Sequence, residues 1–210
     1  MDDFIEISSS GELREILGSV TEPAKSKVRT VLDEIDVEWI SASPFCLIAT
    51  SDGDGNCDVS PKGDPRGFCR VLDESTLLIP DRPGNRRADG LNNILENGRV
   101  GLIFFIPGRG DTLRINGQAR VLKECAEFDR MIVGGHRPGL GLLVGIEEIF
   151  YHCSKAFLRS KLWNPETWDP EGVPSRAAIS KALERKDSSL AELEDYYGEG
   201  YSRGLYQTKP

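Results

Sequence analysis

Apolar positions along this chain follow a helical spacing first, then alternate, then return to a helical spacing. Residues 1–42 read as helical: Glu12–Leu17 forms a short amphipathic piece, and Thr21-Glu22-Pro23 opens a second helix with Val28, Val31, Leu32 and Ile35 on one side. Asp36 is placed to cap a further turn through Trp39 and Ile40. From Pro44 the period shortens to that of strands. Phe45–Ser51 and Cys57–Lys62 form one hairpin around Asp52-Gly53-Asp54-Gly55-Asn56. Phe68–Leu72 and Thr76–Pro80 form another around Asp73-Glu74-Ser75. Arg99–Ile106 is nearly all apolar, which predicts a central strand buried on both faces. Thr112–Leu122 alternates, with Leu113, Ile115, Ala119 and Val121 facing one way and Thr112, Arg114, Asn116, Gln118 and Arg120 the other.

Beyond that strand, Glu124–Val133 reads as helical, a Gly/Pro-rich connector runs from Gly134 to Gly141, and Leu142–Cys153 is a further strand. Ser154 caps a short helix through Trp163 that Pro165 prevents from continuing. Residues 174–210 are polar and helical in part, with Ser189-Leu190-Ala191-Glu192 matching a capping box. Tyr196, Tyr197, Tyr201 and Tyr206 either pack on a partner surface or fray. The pattern divides the chain into a helical extension (1–42), a β domain (43–163) and a polar, helical extension (164–210). About six antiparallel strands with one or two inserted helices make the protein mainly β, a small barrel with helices rather than a βαβ sheet.

A net charge of −8 argues against general binding to nucleic acid or to anionic membranes, so local basic clusters stand out. The five cysteines (Cys46, Cys57, Cys69, Cys125 and Cys153) show no CxxC spacing, and the chain has only two histidines. No zinc or disulfide framework is visible, and Cys46 and Cys69 read as buried small hydrophobes. The start, Met1-Asp2-Asp3-Phe4, is acidic and unlike a signal peptide, and the longest apolar runs are far too short to span a bilayer. A cytoplasmic protein is expected.

The basic cluster that stands out is Asp81-Arg82-Pro83-Gly84-Asn85-Arg86-Arg87, set between a strand and a helical pattern containing Leu91, Ile94 and Leu95. Pro83-Gly84 marks a turn and Asn85 suits an N-cap. Arg86 and Arg87 would then occupy the first helical turn, where positive partial charge already resides. An anion bound there by the arginines and free backbone N–H groups resolves the conflict. The alternative is that Asp81, Asp89 or Glu96 pairs with them.

Other motifs fail on their context. Asp52–Asn56 begins like a calcium loop, but Cys57 stands where Gly is needed and Gly63 where the bidentate Glu is needed. The glycines at 139, 141 and 145 are wrongly spaced for a dinucleotide loop and precede a strand. His152 and Cys153 are strand neighbours whose side chains diverge. No residue is identified as a catalytic acid, base or nucleophile.

The order of elements, with Ser60-Pro61-Lys62-Gly63, Ile79–Arg87 and Asp111-Thr112-Leu113-Arg114-Ile115-Asn116-Gly117, resembles the FMN-binding split-barrel family typified by pyridoxamine 5′-phosphate oxidase. The resemblance covers roughly residues 40–163 and is strongest to a subgroup described as FMN-dependent flavoproteins. It implies a homodimer with FMN at the subunit interface and a small-molecule redox substrate, with NAD(P)H among the possible donors. By resemblance, Asn85, Arg86 and Arg87 hold the FMN phosphate. Ser60, Pro61 and Lys62 lie beside the isoalloxazine ring, and Pro80 and Asp81 contact the ring or ribityl chain. Thr112 and Arg114 lie near the cofactor, and Lys155 and Arg159 reach it from the other subunit. The Arg-Leu-His-Asp-Arg substrate motif of the true oxidase is absent, and Ser60 replaces the arginine that opens the second-strand motif. The implied activity is an FMN-dependent oxidoreductase; the alternative is a non-catalytic flavin, haem or deazaflavin binder on the same fold.

Overall fold

The computed structural model describes residues 4–206. The acidic start at residues 1–3 and the last four positions of the C-terminal extension lie outside the described residues. Three short helices come first: α1 (Ser10–Leu17), α2 (Glu22–Ser26) and α3 (Glu34–Ala42). The second helix stops nine residues short of Ile35, the end of the run that sequence spacing assigned to it, and Val28 and Val31 are exposed. From there Arg29 pairs its backbone with Ile149, trading helix for a β-bridge. Asp33, not Asp36, caps α3. Asp36 completes the capping box as the residue three positions on, accepting from the Asp33 N–H at 2.8 Å.

Seven strands follow: β1 (Phe45–Ser51), β2 (Cys57–Gly63), β3 (Arg70–Asp73), β4 (Thr76–Asp81), β5 (Arg99–Phe105), β6 (Thr112–Leu122) and β7 (Leu140–His152). Helix α4 (Asp89–Glu96) is inserted between β4 and β5. All pairings are antiparallel, and the sheet runs β2-β1-β5-β6-β7-β4-β3 without closing. Each of the seven segments that the pattern reads as a strand is one, and the architecture is an open barrel as that pattern implied. The segment expected to be helical at Glu124–Val133 is a single 3-10 stretch at Ala126–Met131, where Phe128 and Met131 bury against Leu78.

Alternation sorts the sheet into two faces. Cys46, Ile48, Leu102, Phe104, Leu113, Ile115, Val144 and Ile149 share one core on the inner face. β5 is buried on that face only: Val100, Leu102 and Phe104 are inside, while Gly101, Ile103 and Phe105 are half-covered on the outside. In an antiparallel sheet an apolar run therefore signals two apolar faces, of which this chain covers one. β6 and β7 stay paired along their length through a bulge at Asn116/Gly117. A Cβ on Gly117 would lie 2.0 Å from the Gly145 carbonyl oxygen, so only glycine allows this approach.

Beyond β7 the chain forms α5 (Lys155–Ser160), then α6 (Arg176–Leu183), α7 (Leu190–Tyr197) and α8 (Glu199–Arg203). Ser154 precedes α5 without making a capping hydrogen bond, and α5 ends at Ser160, ahead of Trp163. The Ser189 capping box of α7 forms as its spacing predicts. No helix among the described residues is long and apolar enough to cross a membrane.

Candidate functional site

Ser60 and Lys62 lie on the inner face of β2, opposite Ile48 and Cys46, while Pro61 lies on the outer face opposite Leu47. Lys62 forms an ion pair with Asp81 at the end of β4. Just past the ends of both strands, Arg82 Nε lies 2.5 Å from Asp64, and Arg82 also donates to the Met131 carbonyl at 2.6 Å. The Tyr206 hydroxyl donates to the other Asp64 oxygen at 2.5 Å, its ring lies over the Arg82 guanidinium, and it stacks on His136. The last of the C-terminal tyrosines thus packs on the barrel of its own chain. These contacts lace β2 to β4 across the open side of the barrel. Pro80 faces the other way from Asp81 and is buried, so its ring has no exposed surface to offer a ligand.

Past Arg82 the chain turns through an exposed loop into α4. The helix begins at Asp89, three residues later than an Asn85 cap would place it. Asn85 instead accepts from the Arg87 N–H at 3.1 Å, tightening the loop. Arg86 (φ 63°) and Ala88 (φ 60°) are both in the left-handed region, where non-glycine residues are strained. Arg86 and Arg87 therefore precede the helix N-terminus rather than forming its first turn. Arg87 Nε pairs with Asp89 at 2.7 Å, as the paired alternative holds, and Asp89 raises the Arg87 pKa. Arg86 is exposed and has no partner among the described residues.

The first turn of α4 leans on β2 and β1 through Gly90. A Cβ there would meet Asp58 Oδ2 at 3.1 Å, Thr50 Oγ1 at 3.5 Å and Ser60 Oγ at 3.6 Å. Asn93 fixes the contact by donating to Thr50 Oγ1 at 3.0 Å. Ser60, Lys62, Asp81 and the Asn85–Arg87 loop thus form one neighbourhood, assembled from β2, β4 and the entry to α4.

Thr112 and Arg114 lie elsewhere in the chain. Arg114 is on the outer face opposite Ile103, three strand spacings (roughly 14 Å) from Pro61 across β5 and β1. Its guanidinium lies 5.0 Å from the Phe150 ring centroid, where Lys27 approaches at 5.0 Å as well. Neither Asp111 nor Glu147 pairs with Arg114; they hold Arg109 and Arg99. Burial, then Arg114 and Lys27, push the neighbouring His152 below the ordinary imidazole value. Thr112 is only 3% exposed, so its hydroxyl is no surface contact. Lys155 and Arg159 project from α5 as exposed side chains without an ion-pair partner among the described residues. Within one chain, Ser60, Lys62, Asp81 and Asn85–Arg87 gather, while Pro61, Pro80, Thr112, Arg114, Lys155 and Arg159 turn away from them or lie apart.

Three residues at a second location carried no sequence signal: Trp39, Arg109 and Tyr151 meet beneath α3. Their positions span more than a hundred residues and match no motif. The Asp64–Arg82 pair was equally silent, since charged residues at strand ends are ordinary.

An open antiparallel barrel, laced between β2 and β4 and with a basic loop entering its one inserted helix, defines the split-barrel class. The chain belongs to the pyridoxamine 5′-phosphate oxidase family, whose model matches residues 32–144. No curated protein matches it. Solved structures similar to it include a Lactobacillus delbrueckii protein provisionally assigned as a pyridoxamine 5′-phosphate oxidase (25% identity, 58% of this chain and 95% of that one, TM-score 0.45). HupZ of Group A Streptococcus is similar at 21% identity, covering 57% of this chain and 93% of that one, with a TM-score of 0.45. An FMN-binding protein from Syntrophomonas wolfei is similar at 14% identity, covering 57% and 81%, with a TM-score of 0.41.

Proposed function

We propose that this protein is a homodimeric, cytoplasmic FMN-dependent oxidoreductase in which flavin relays hydride or electrons between a small-molecule donor and an acceptor. The observation that carries the reading is Arg86. It stands in strained backbone beside Arg87, next to a helix N-terminus, with no acidic partner among the described residues. Strain and unneutralised charge at one exposed loop are costs that a bound phosphate offsets. The residues present fit the group: Arg86, Arg87 and the first N–H groups of α4 would hold the phosphate. Ser60 and Lys62 would face the ring system, with the lysine supplying positive charge beside it.

FMN supplies the redox chemistry when bound, and the chain supplies anchoring, orientation and electrostatics. The half-covered outer face, where Pro61, Leu47, Ile103, Arg114 and Phe150 form one row, supports a second copy as its cover. On that reading Arg114, Lys155 and Arg159 serve the partner's site, which accounts for their distance from the Arg86 loop.

The test is the visible spectrum of the purified protein after loading with FMN and desalting. A retained flavin spectrum that is lost in Arg86→Ala/Arg87→Ala supports the reading. A wild-type protein that retains no FMN overturns it. Sustained dye or oxygen reduction with NADH or NADPH separates an enzyme from a flavin carrier.

A further inference from the structure

Between α3 and the loop joining β5 to β6 lies a cavity of about 470 Å³, lined by Ile35, Glu38, Trp39, Arg109, Asp111 and Tyr151 among others. It is separate from the Ser60–Arg87 neighbourhood, and its volume falls within the range of small-molecule sites. Trp39 forms one wall. The residue is only 7% exposed, yet its indole N–H is buried without a hydrogen-bond partner. Buried polar groups are nearly always paired, and the Tyr151 hydroxyl on the same lining is open as well, which marks the cavity as a place for a polar ligand.

The shape of the site is equally specific. Tyr151 packs edge-on against Trp39, with ring centroids 5.2 Å apart and planes at 77°. Over the indole face lies the flat guanidinium of Arg109, 4.5 Å from the ring centroid. A planar group therefore already occupies that face, and the space suits another. Arg109 is tied to Asp111 by hydrogen bonds of 3.0 and 2.7 Å, and is half-exposed, so it is free to swing outward with its partner. The loop that carries it is pinned from behind by Trp163, whose indole N–H donates to the Arg109 carbonyl at 2.7 Å.

Charge narrows the ligand class. Glu38 and Asp111 contribute two carboxylates to the lining against the one guanidinium, which disfavours an anionic ligand. A carboxamide suits this lining: it carries no charge, its NH₂ donates to a carboxylate, and its carbonyl can accept from the Tyr151 hydroxyl, which is buried without a partner. We propose that this cavity binds a flat heteroaromatic ring bearing a carboxamide, stacked on Trp39 in the place the Arg109 guanidinium now holds. The proposal is independent of flavin binding, because none of the residues of the Arg86 loop takes part.

Nicotinamide is the probe, and the indole N–H resonances of ¹⁵N-tryptophan-labelled protein are the readout. Trp168, whose N–H donates to the Leu162 carbonyl, serves as an internal control. The expected result is a saturable shift of the Trp39 resonance, assigned by its loss in Trp39→Phe, with a dissociation constant on the order of 1 mM for so small a ligand. Benzoate, flat but anionic, should bind at least ~10-fold more weakly. Ala42→Phe, which fills the cavity from the last turn of α3, should weaken nicotinamide by a similar factor while leaving the other indole resonances in place. No saturable shift with nicotinamide overturns the proposal. So does equal binding of benzoate, or binding undiminished in a folded Ala42→Phe protein.

Discussion

Lys62 at the end of β2 and Asp81 at the end of β4 form an ion pair, although β2 and β4 share no ladder and stand at opposite sides of the sheet order. The sheet curls until its two flanks meet, and charged side chains join them where backbone hydrogen bonds do not. Asp64 and Arg82 repeat the arrangement one step further, with side chains only 1% and 13% exposed.

That burial sets the first expectation. Asp64→Asn leaves the Arg82 guanidinium buried without its counter-charge, and should cost about 3 kcal/mol in a denaturant titration. Replacing both partners, as Asp64→Leu/Arg82→Met, should recover much of the loss, because no unpaired charge remains. Lys62→Met, at a pair about one-fifth exposed on each side, should cost less, about 1 kcal/mol. A double variant as unstable as Asp64→Asn alone would show that the pair does more than neutralise itself.

A second expectation concerns acid. Burial by itself would raise the Asp36 carboxyl, but the Arg29 guanidinium at 2.6 and 2.9 Å and the Asp33 N–H hold it below its ordinary value of 3.8. A carboxyl lowered in the folded state stabilises the fold fully above its unfolded pKa, and loses that contribution as pH falls through the folded one. Asp36→Asn should therefore cost about 2 kcal/mol at neutral pH. The difference from wild type should shrink steadily below about pH 4, as read from urea midpoints across the range. A difference independent of pH would assign the loss to packing instead.

Backbone approach sets a third. At Gly117 the obstruction to a side chain is the Gly145 carbonyl, part of the ladder itself, so no rotamer can relieve it. Gly117→Ala should destabilise by more than about 3 kcal/mol, or leave the protein insoluble. Gly84, whose added Cβ would meet nothing within 4 Å, is the tolerant control. Thermal melts of the two variants give the comparison.

The basic loop yields a fourth. Asp89 competes with any anion for Arg87, whereas Arg86 has no such competitor among the described residues. Arg86→Ala should weaken FMN retention by about tenfold, the value of one charged hydrogen bond. Asp89→Asn should tighten it, by releasing Arg87 and removing a negative charge beside the phosphate. Fluorescence titration with FMN measures both, and tighter binding after Arg86→Ala would place the phosphate elsewhere.

His152 provides a fifth. Burial lowers its pKa first, and Arg114 and Lys27 add repulsion. Arg114→Met should raise it towards 6.5, visible in an NMR titration of the imidazole protons. An unchanged value would mean that burial alone sets it.

What could be read along the chain was local. The alternation in Thr112–Leu122 predicted a strand with those bounds, and Ser189 to Glu192 predicted a cap, because each depends on residues a few positions apart. Asn85-Arg86-Arg87 stood out for the same reason, since charge beside a helix start is a near-neighbour effect. The helix entry itself was misplaced by three residues, because two strained left-handed residues, Arg86 and Ala88, are not announced by their chemistry. Apolar content in Arg99–Phe105 could not say which face the core takes; that followed from curling the sheet. The tertiary structure alone decided that Lys62 meets Asp81, that Arg114 sits apart from both within the chain, and that Trp39, Arg109 and Tyr151 line a cavity. Such meetings depend on strand order and curvature, which the whole core determines through many weak contacts and no single stretch of chain encodes.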